Sequence, residues 1–332
     1  MRALDNKTLR GLWSAVPTPW DRSSGRLDAG VLERNCLRLA ESGAVDGIYT
    51  TDSDGEFYAI ELDEFRALAR AFGKAMESCA RHGIDAAMGV TWCNTRGIID
   101  RIKASLDAGI PNVHVAFPFF MPLAAGDVDR FFEDLAQQAP QARWIHYAHP
   151  RCLPTLSGQD YARLSRRFPE QFIGSKLGTT DTTALTEIML HSPHLAHFVV
   201  DTTILPGMML GAVGCYSYWC NTLPRWHRGY FDACLSGEWD EARRRHLKLM
   251  RWELEHISKI RAAGHLHGII GKTRAALSGF LEDSGVTRAP YYPVSDALQA
   301  ELRRAFRDYW ADELVAEGSG SSQVLEFGAQ PT

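Results

Sequence analysis

Lysine is scarce in this chain. Seven of its 332 residues are lysines, against twenty-nine arginines, so most of the positive charge sits on a group that stays protonated and cannot act as a nucleophile. Six of the seven, Lys7, Lys74, Lys103, Lys248, Lys259 and Lys272, lie at the N-terminus or in helix-like stretches. No apolar run approaches the roughly eighteen residues that a membrane-spanning helix needs, and Met1 to Gly11 has no apolar signal core. A net charge of −4 without any basic block argues against nucleic-acid or anionic-membrane partners. The seven cysteines include no Cys-x-x-Cys pair, which suits reduced thiols in the cytoplasm better than a disulfide framework or a zinc site. No Gly-x-Gly-x-x-Gly follows an early strand, so dinucleotide binding lacks its signal.

What the chain does have is an apolar content of 45%, enough for a sizeable core, and a regular alternation of pattern. Strand-like runs occur at Gly11 to Trp20, Val45 to Thr51, Ile84 to Thr91, Val113 to Phe117, Trp144 to Tyr147, Phe172 to Ser175, His197 to Val200 and Ala212 to Ser217. Most are separated by stretches with helical spacing, such as Asp28 to Ser42 and Glu61 to His82. Eight such runs in roughly 210 residues predict a (β/α)8 TIM barrel, an α/β fold. After Pro224 the pattern is helical only. The expected organisation is a short segment 1–10, a barrel over 11–225, a C-terminal helical region over 226–312 and a disordered tail of linker composition over 313–332.

The seventh lysine, Lys176, stands apart. It ends the apolar run Phe172-Ile-Gly-Ser-Lys176, just before a Gly/Thr-rich loop. An amine carried into the mouth of a closed barrel loses hydration, which favours the neutral nucleophile that adds to carbonyls to form a Schiff base. The plain alternative is a surface lysine that ends a strand. Asp52-x-Asp54-x-Glu56 offers hard oxygen ligands, but its glycine is misplaced for a calcium loop, so no metal is expected. His191, His194 and His197 form a loop-like cluster without ligand spacing and read as surface.

Six segments in order resemble the dihydrodipicolinate synthase / N-acetylneuraminate lyase family of class I, Schiff-base aldolases, from about Gly11 to Phe306. They are Ala15-Val-Pro-Thr-Pro-Trp20, Gly43-Ala-Val-Asp-Gly-Ile48 leading into Asp52-Ser-Asp-Gly-Glu56, Tyr147-Ala-His-Pro150, Ile173-Gly-Ser-Lys176, Gly211-Ala-Val-Gly-Cys-Tyr-Ser217 and Arg288-Ala-Pro290. The resemblance implies a cofactor-free lyase in which Lys176 forms an imine with a 2-oxo acid such as pyruvate. It also implies that Tyr147 relays protons with its hydroxyl oriented by Ser53, and that backbone N–H groups around Ser53 to Gly55 face the substrate. A homotetramer or homodimer is implied as well.

The departures bear on substrate. Asp54 stands where the family has a threonine that helps hold the carboxylate of pyruvate. Two carboxylates in contact repel by roughly 4 kcal/mol at an effective dielectric of about 20, so pyruvate fits only if Asp54 is protonated or turned away. Asp54 therefore remains open between an acid/base, a partner for a substrate amino or hydroxyl group, and a solvated loop charge. Cys152 replaces the arginine of the synthases, and Pro118-Phe-Phe-Met121 offers no phenol for the tyrosine they exchange between subunits, so lysine biosynthesis is not expected. Thr91-Trp-Cys-Asn-Thr-Arg96, together with Tyr147 to Pro150 and Lys176 to Gly178, is closer to the hydratase-aldolase branch that handles benzylidene-pyruvates. Phe57, Tyr58, Phe119, Phe120, Tyr218 and Trp219 are candidates for an apolar acceptor pocket, with His149 and Ser217 as further substrate contacts. Two other readings stay open: dehydration or deamination of a 2-oxo sugar acid through the same imine, and a ligand-binding barrel without catalysis.

Overall fold

The computed structural model describes residues 1–282 and 285–318. Strands β1 Gly11–Val16, β2 Gly47–Thr50, β3 Asp85–Gly89, β4 Asn112–Val115, β5 Arg143–Ala148, β6 Phe172–Leu177, β7 Ala196–Val200 and β8 Gly214–Ser217 pair in parallel, each with its sequence neighbours, and β1 closes on β8. Each of the eight strand-like runs of the sequence overlaps one of these strands, with β4 to β7 starting or ending one or two residues outside their runs. Helices α1 Ala29–Glu41, α2 Leu62–Cys79, α3 Thr95–Asp107, α4 Ala125–Gln138, α5 Gly158–Arg167, α6 Thr182–His191, α7 Ile204–Met209 and α8 Pro224–Leu235 form the outer layer. Several start where a side chain satisfies an N–H of the first turn: Asp28 accepts from Val31 N at 2.9 Å and Asn94 from Gly97 N at 2.8 Å. On α2 the buried positions Phe65, Leu68, Ala69, Phe72, Ala75, Met76 and Cys79 follow the three-and-four spacing that lays one stripe on the sheet.

Inside the barrel, size alternates between facing positions. A Cβ on Gly47 would fall 2.3 Å from the Trp13 ring, and one on Gly214 2.3 Å from the Phe198 ring. Trp13, Phe198 and Tyr216 fill the space these glycines leave, with Phe198 and Tyr216 centroids 4.5 Å apart. Segment 1–10 is ordered beneath this layer: Leu4 and Leu9 are buried in the same interior cluster, and Asn112 accepts from Leu4 N at 2.9 Å. The C-terminal end of the barrel therefore holds the open mouth, where the βα loops converge.

The C-terminal helices α9 Trp239–Trp252, α10 Ser258–Ala262, α11 His267–Ala275, α12 Asp296–Tyr309 and α13 Ala311–Gly318 pack beside that mouth. Two buried ion pairs fasten them. Glu56 Oε2 meets Lys272 Nζ at 2.6 Å and also accepts from the Trp20 indole at 2.7 Å. Glu253 Oε1 meets Arg274 at 2.9 Å and accepts from the Trp219 indole at 3.0 Å. The sequence places a disordered tail from 313, but α13 runs to Gly318. The reason is polar docking: Glu313 pairs with Lys248, and Glu317 accepts from Trp226 N at 2.8 Å. Residues 319–332 of the expected tail lie outside the described residues. His197, read as surface, lies on β7 and is buried, bonded through Nδ1 to Ser175 Oγ at 2.8 Å, while His191 and His194 are exposed. Among the described residues no helix is long and apolar enough to cross a membrane.

Candidate active site

Strand register puts Lys176 level with Tyr147 on β5 and Phe198 on β7, and the alternation of a barrel strand then turns all three inward. Lys176 lies within β6 and is only 4% exposed. Its Nζ sits over the Tyr147 ring at 4.2 Å and the Tyr49 ring at 4.4 Å, with Tyr49 Oη at 3.3 Å. Tyr147 Oη and Ser53 Oγ are 3.2 Å apart, the bond the sequence led us to expect. Burial pushes the Tyr147 phenol well above its ordinary range, reinforced by Asp52, with the Ser53 bond opposing. The hydroxyl therefore stays protonated and is equipped to pass protons.

The dominant partner of the amine is one that the sequence reading missed. Asp52 Oδ2 lies 2.6 Å from Lys176 Nζ and 2.6 Å from His114 Nδ1. Asp52 is 1% exposed and His114 fully buried on β4. Burial pushes the Asp52 carboxyl up, but Lys176 and His114 outweigh it and hold it at about 2. Burial pulls the His114 imidazole down, with Asp52 opposing. A neutral ring that faces a carboxylate through Nδ1 must carry its proton there. The only signal in the sequence was that an aspartate stands where the resembling family has glycine, immediately beyond a strand end.

The loop after β2 is a single turn, Ser53–Gly55, bracketed by two non-glycine residues with positive φ, Thr51 at 71° and Glu56 at 57°. Gly55 was expected to face the substrate, but its N–H bonds to Asp52 O at 2.9 Å and its carbonyl accepts from Thr18 Oγ1 at 2.7 Å. Ser53 and Asp54 open the turn, so their N–H groups have no acceptor within it. Asp54 is half-buried and turned toward α11, where a Cβ on Gly271 would fall 2.5 Å from its Oδ1. Burial pushes the Asp54 carboxyl up, against His267, Lys176 and Arg274. Asp54 is thus turned toward α11, and its affinity for a proton is raised by burial.

His149 is half-buried beside Tyr147, with ring centroids 5.3 Å apart, and 6.0 Å from His267 on α11. Burial, then His267, pulls His149 down to about 4. Phe119 contacts Phe57 at 5.6 Å, and Phe57 contacts Tyr58 at 5.5 Å. Three expected substrate contacts are placed otherwise. Phe120 is 78% exposed, since the chain leaves the barrel rim after Phe119. Trp219 is buried against Trp310 at 5.4 Å because its indole N–H is drawn to Glu253. Ser217 is buried with its hydroxyl accepting from Trp219 N at 2.9 Å and Cys220 N at 3.1 Å, a cap on the turn after β8. Tyr218 lies under the Arg274 guanidinium at 3.9 Å. Asp52 and Glu56 are held by Lys176 and Lys272.

A family model, that of the dihydrodipicolinate synthetase family, matches residues 8–308. The 4-hydroxy-tetrahydrodipicolinate synthase of Thermus thermophilus is 25% identical over 309 residues, covering 90% of this chain and 96% of that protein. Among solved structures, YagE of E. coli K12 in complex with pyruvate superposes with a TM-score of 0.80 at 20% identity, covering 91% of this chain and 98% of that one. PhdJ bound to a substrate intermediate also gives 0.80, at 21% identity, covering 95% and 99%.

Proposed function

The chain belongs to the dihydrodipicolinate synthetase family and is a carbon–carbon lyase of the Schiff-base type. On that premise we propose that Lys176 forms the imine with a 2-oxo acid and that the bond made or broken joins its enamine carbon to an apolar or aromatic aldehyde. The observation that carries this reading is the buried Lys176 amine at the level of Tyr147, whose hydroxyl is held by Ser53. Addition of the amine to the 2-oxo carbon and loss of water leave an iminium that accepts the electron pair of the breaking bond. No external cofactor is needed for this. Tyr147 moves the protons of addition and dehydration, and the N–H groups of Ser53 and Asp54 face the substrate carboxylate. The segments Thr91 to Arg96, Tyr147 to Pro150 and Lys176 to Gly178 favour the hydratase-aldolase branch. A second copy of the chain, as a homodimer or homotetramer, would cover exposed Phe120 and Met121.

The test is trapping. The protein is incubated with pyruvate or with aromatic aldehydes, reduced with borohydride and weighed intact, with Lys176→Ala as control. One pyruvate adduct per chain, absent in the control, is expected; a folded protein that gives no adduct with any carbonyl sinks the proposal. The acceptor side has its own prediction. Phe57, in contact with Phe119 at the rim, is expected to raise KM for an aromatic aldehyde about five- to tenfold when replaced by alanine, with kcat little changed. That is the loss of one aromatic contact.

A specific observation also favours a second reading, loss of a β-hydroxyl or β-amino group from a 2-oxo sugar acid. Asp54, His149 and His267 gather polar acid–base groups at the mouth, which composition alone did not suggest. Product analysis after incubation with a 2-oxo-3-deoxy sugar acid separates cleavage from dehydration.

A further inference from the structure

Resting on the Schiff-base reading above, we propose that Asp52 is a built-in counterion for the nitrogen of Lys176 in both its ammonium and its iminium form, and that His114 is the positioning residue that holds it there. One carboxylate oxygen, Oδ2, meets both Lys176 Nζ and His114 Nδ1 at 2.6 Å, and the other, Oδ1, is buried without a partner among the described residues. The main chain is shaped around this placement. Thr51, a β-branched residue, is held at φ 71° by bonds from its hydroxyl to Gly89 O at 2.6 Å and Thr50 O at 2.5 Å, a conformation that such residues rarely adopt. Facing it on β3, Gly89 has no Cβ; one there would fall 2.1 Å from Asp52 Oδ1. A backbone outlier on one side and an obligatory glycine on the other bring a carboxylate to the reacting nitrogen.

The chemistry gives such a carboxylate a use throughout the reaction. When an ammonium and a carbonyl become an iminium and water, the carbonyl oxygen leaves with two of the three nitrogen protons. The nitrogen keeps the third proton and its positive charge. Charge at that position is therefore the same before and after, and one fixed anion neutralises both states. Asp52 also lies within reach to accept a proton while the amine attacks, and to return it to the departing hydroxyl. The other groups facing this nitrogen are Tyr49 on β2, His114 on β4, Tyr147 on β5 and Tyr216 on β8, with Asp54 in the loop after β2, His149 in the loop after β5, and His267 and Arg274 beyond them on α11. The four barrel residues among them are three phenols raised by burial and an imidazole lowered by it, so Asp52 carries the compensating charge at contact distance.

The test reads the protonation of the imine directly. Cyanoborohydride reduces an iminium and leaves a neutral imine intact. Wild type and Asp52→Asn are brought to equilibrium with pyruvate at pH 7, jumped to a series of higher pH values and pulsed with cyanoborohydride, and the Lys176 adduct is weighed. Benzaldehyde serves where pyruvate gives no adduct. The pH at which trapping falls by half is expected to drop by about 1–3 units in Asp52→Asn, the range for losing an opposite charge at this separation. His114→Ala, which keeps the carboxylate but frees it, is expected to move the midpoint in the same direction by less. An unchanged midpoint in folded Asp52→Asn overturns the proposal. Should that variant fail to fold, an unchanged midpoint in His114→Ala does so. Absence of any adduct in wild type would instead overturn the Schiff-base reading on which the proposal stands.

Discussion

Lys176→Met is expected to abolish the borohydride adduct, to lower lyase turnover by at least about four orders of magnitude, and to destabilise the fold at neutral pH. The last effect follows from the pairing. Methionine approximates the length of the lysine stem but leaves Asp52, 2.6 Å from where Nζ was, buried with its charge uncompensated. Removing one partner of a buried pair costs about 3–5 kcal/mol, whereas removing both is often close to neutral. Lys176→Met/Asp52→Asn should therefore recover most of the lost stability and none of the activity. The pH dependence has a definite sign. In wild type the Asp52 carboxyl is held at about 2, so its contribution is fully present above its unfolded value near 4 and is lost as pH falls toward 2. In Lys176→Met burial dominates and the folded state takes up a proton more readily than the unfolded one. The gap in Tm between variant and wild type should accordingly shrink from pH 7 to pH 5. A gap that is constant with pH, or a double variant no more stable than the single, would mean that the pair does not carry this energy.

The residues that were legible in the sequence and those that were not differ in a physical way. Strand and helix periods are local, so all eight strands and the helical C-terminal region could be placed before any contact was known. Lys176, Tyr147 and Ser53 were legible because each sits in a segment whose neighbours identify it, and the register of β5 and β6 then brings the first two to one level. Asp52 and His114 were not legible because their contact joins positions 62 residues apart, one just beyond the end of β2 and the other on β4, and nothing local to either announces the other. Trp219 and Phe120 failed for a different reason. An aromatic beyond a strand end can turn inward or outward, and what decided the direction was a distant partner for Trp219, Glu253 on the C-terminal helices, and the course of the chain for Phe120. The tail was misjudged at its start because Glu313 and Glu317 find partners on α8 and α9 that composition cannot show.

Tyr147→Phe separates the proton relay from the packing that surrounds it. The phenyl ring keeps the face that lies 4.2 Å from Nζ, so Lys176 should remain in place and the amount of trapped adduct at equilibrium should be little changed. What is lost is the hydroxyl bonded to Ser53 at 3.2 Å. Proton transfer by a positioned group contributes about 10²–10⁴-fold, and the rate of adduct formation and kcat should both fall by about 10²–10³-fold, with KM moved far less. Ser53→Ala leaves the phenol in place but free to rotate, and a loss of about tenfold is expected, appearing in the rate and not in the adduct yield. Because burial keeps the Tyr147 hydroxyl protonated, neither variant should shift the alkaline midpoint of cyanoborohydride trapping, which belongs to the iminium nitrogen beside Asp52. Stopped trapping at short times measures the first effect and the pH series the second. If Tyr147→Phe forms its adduct at the wild-type rate, the protons of carbinolamine collapse travel by another path, and Asp52, already in contact with the nitrogen, is the group positioned to carry them.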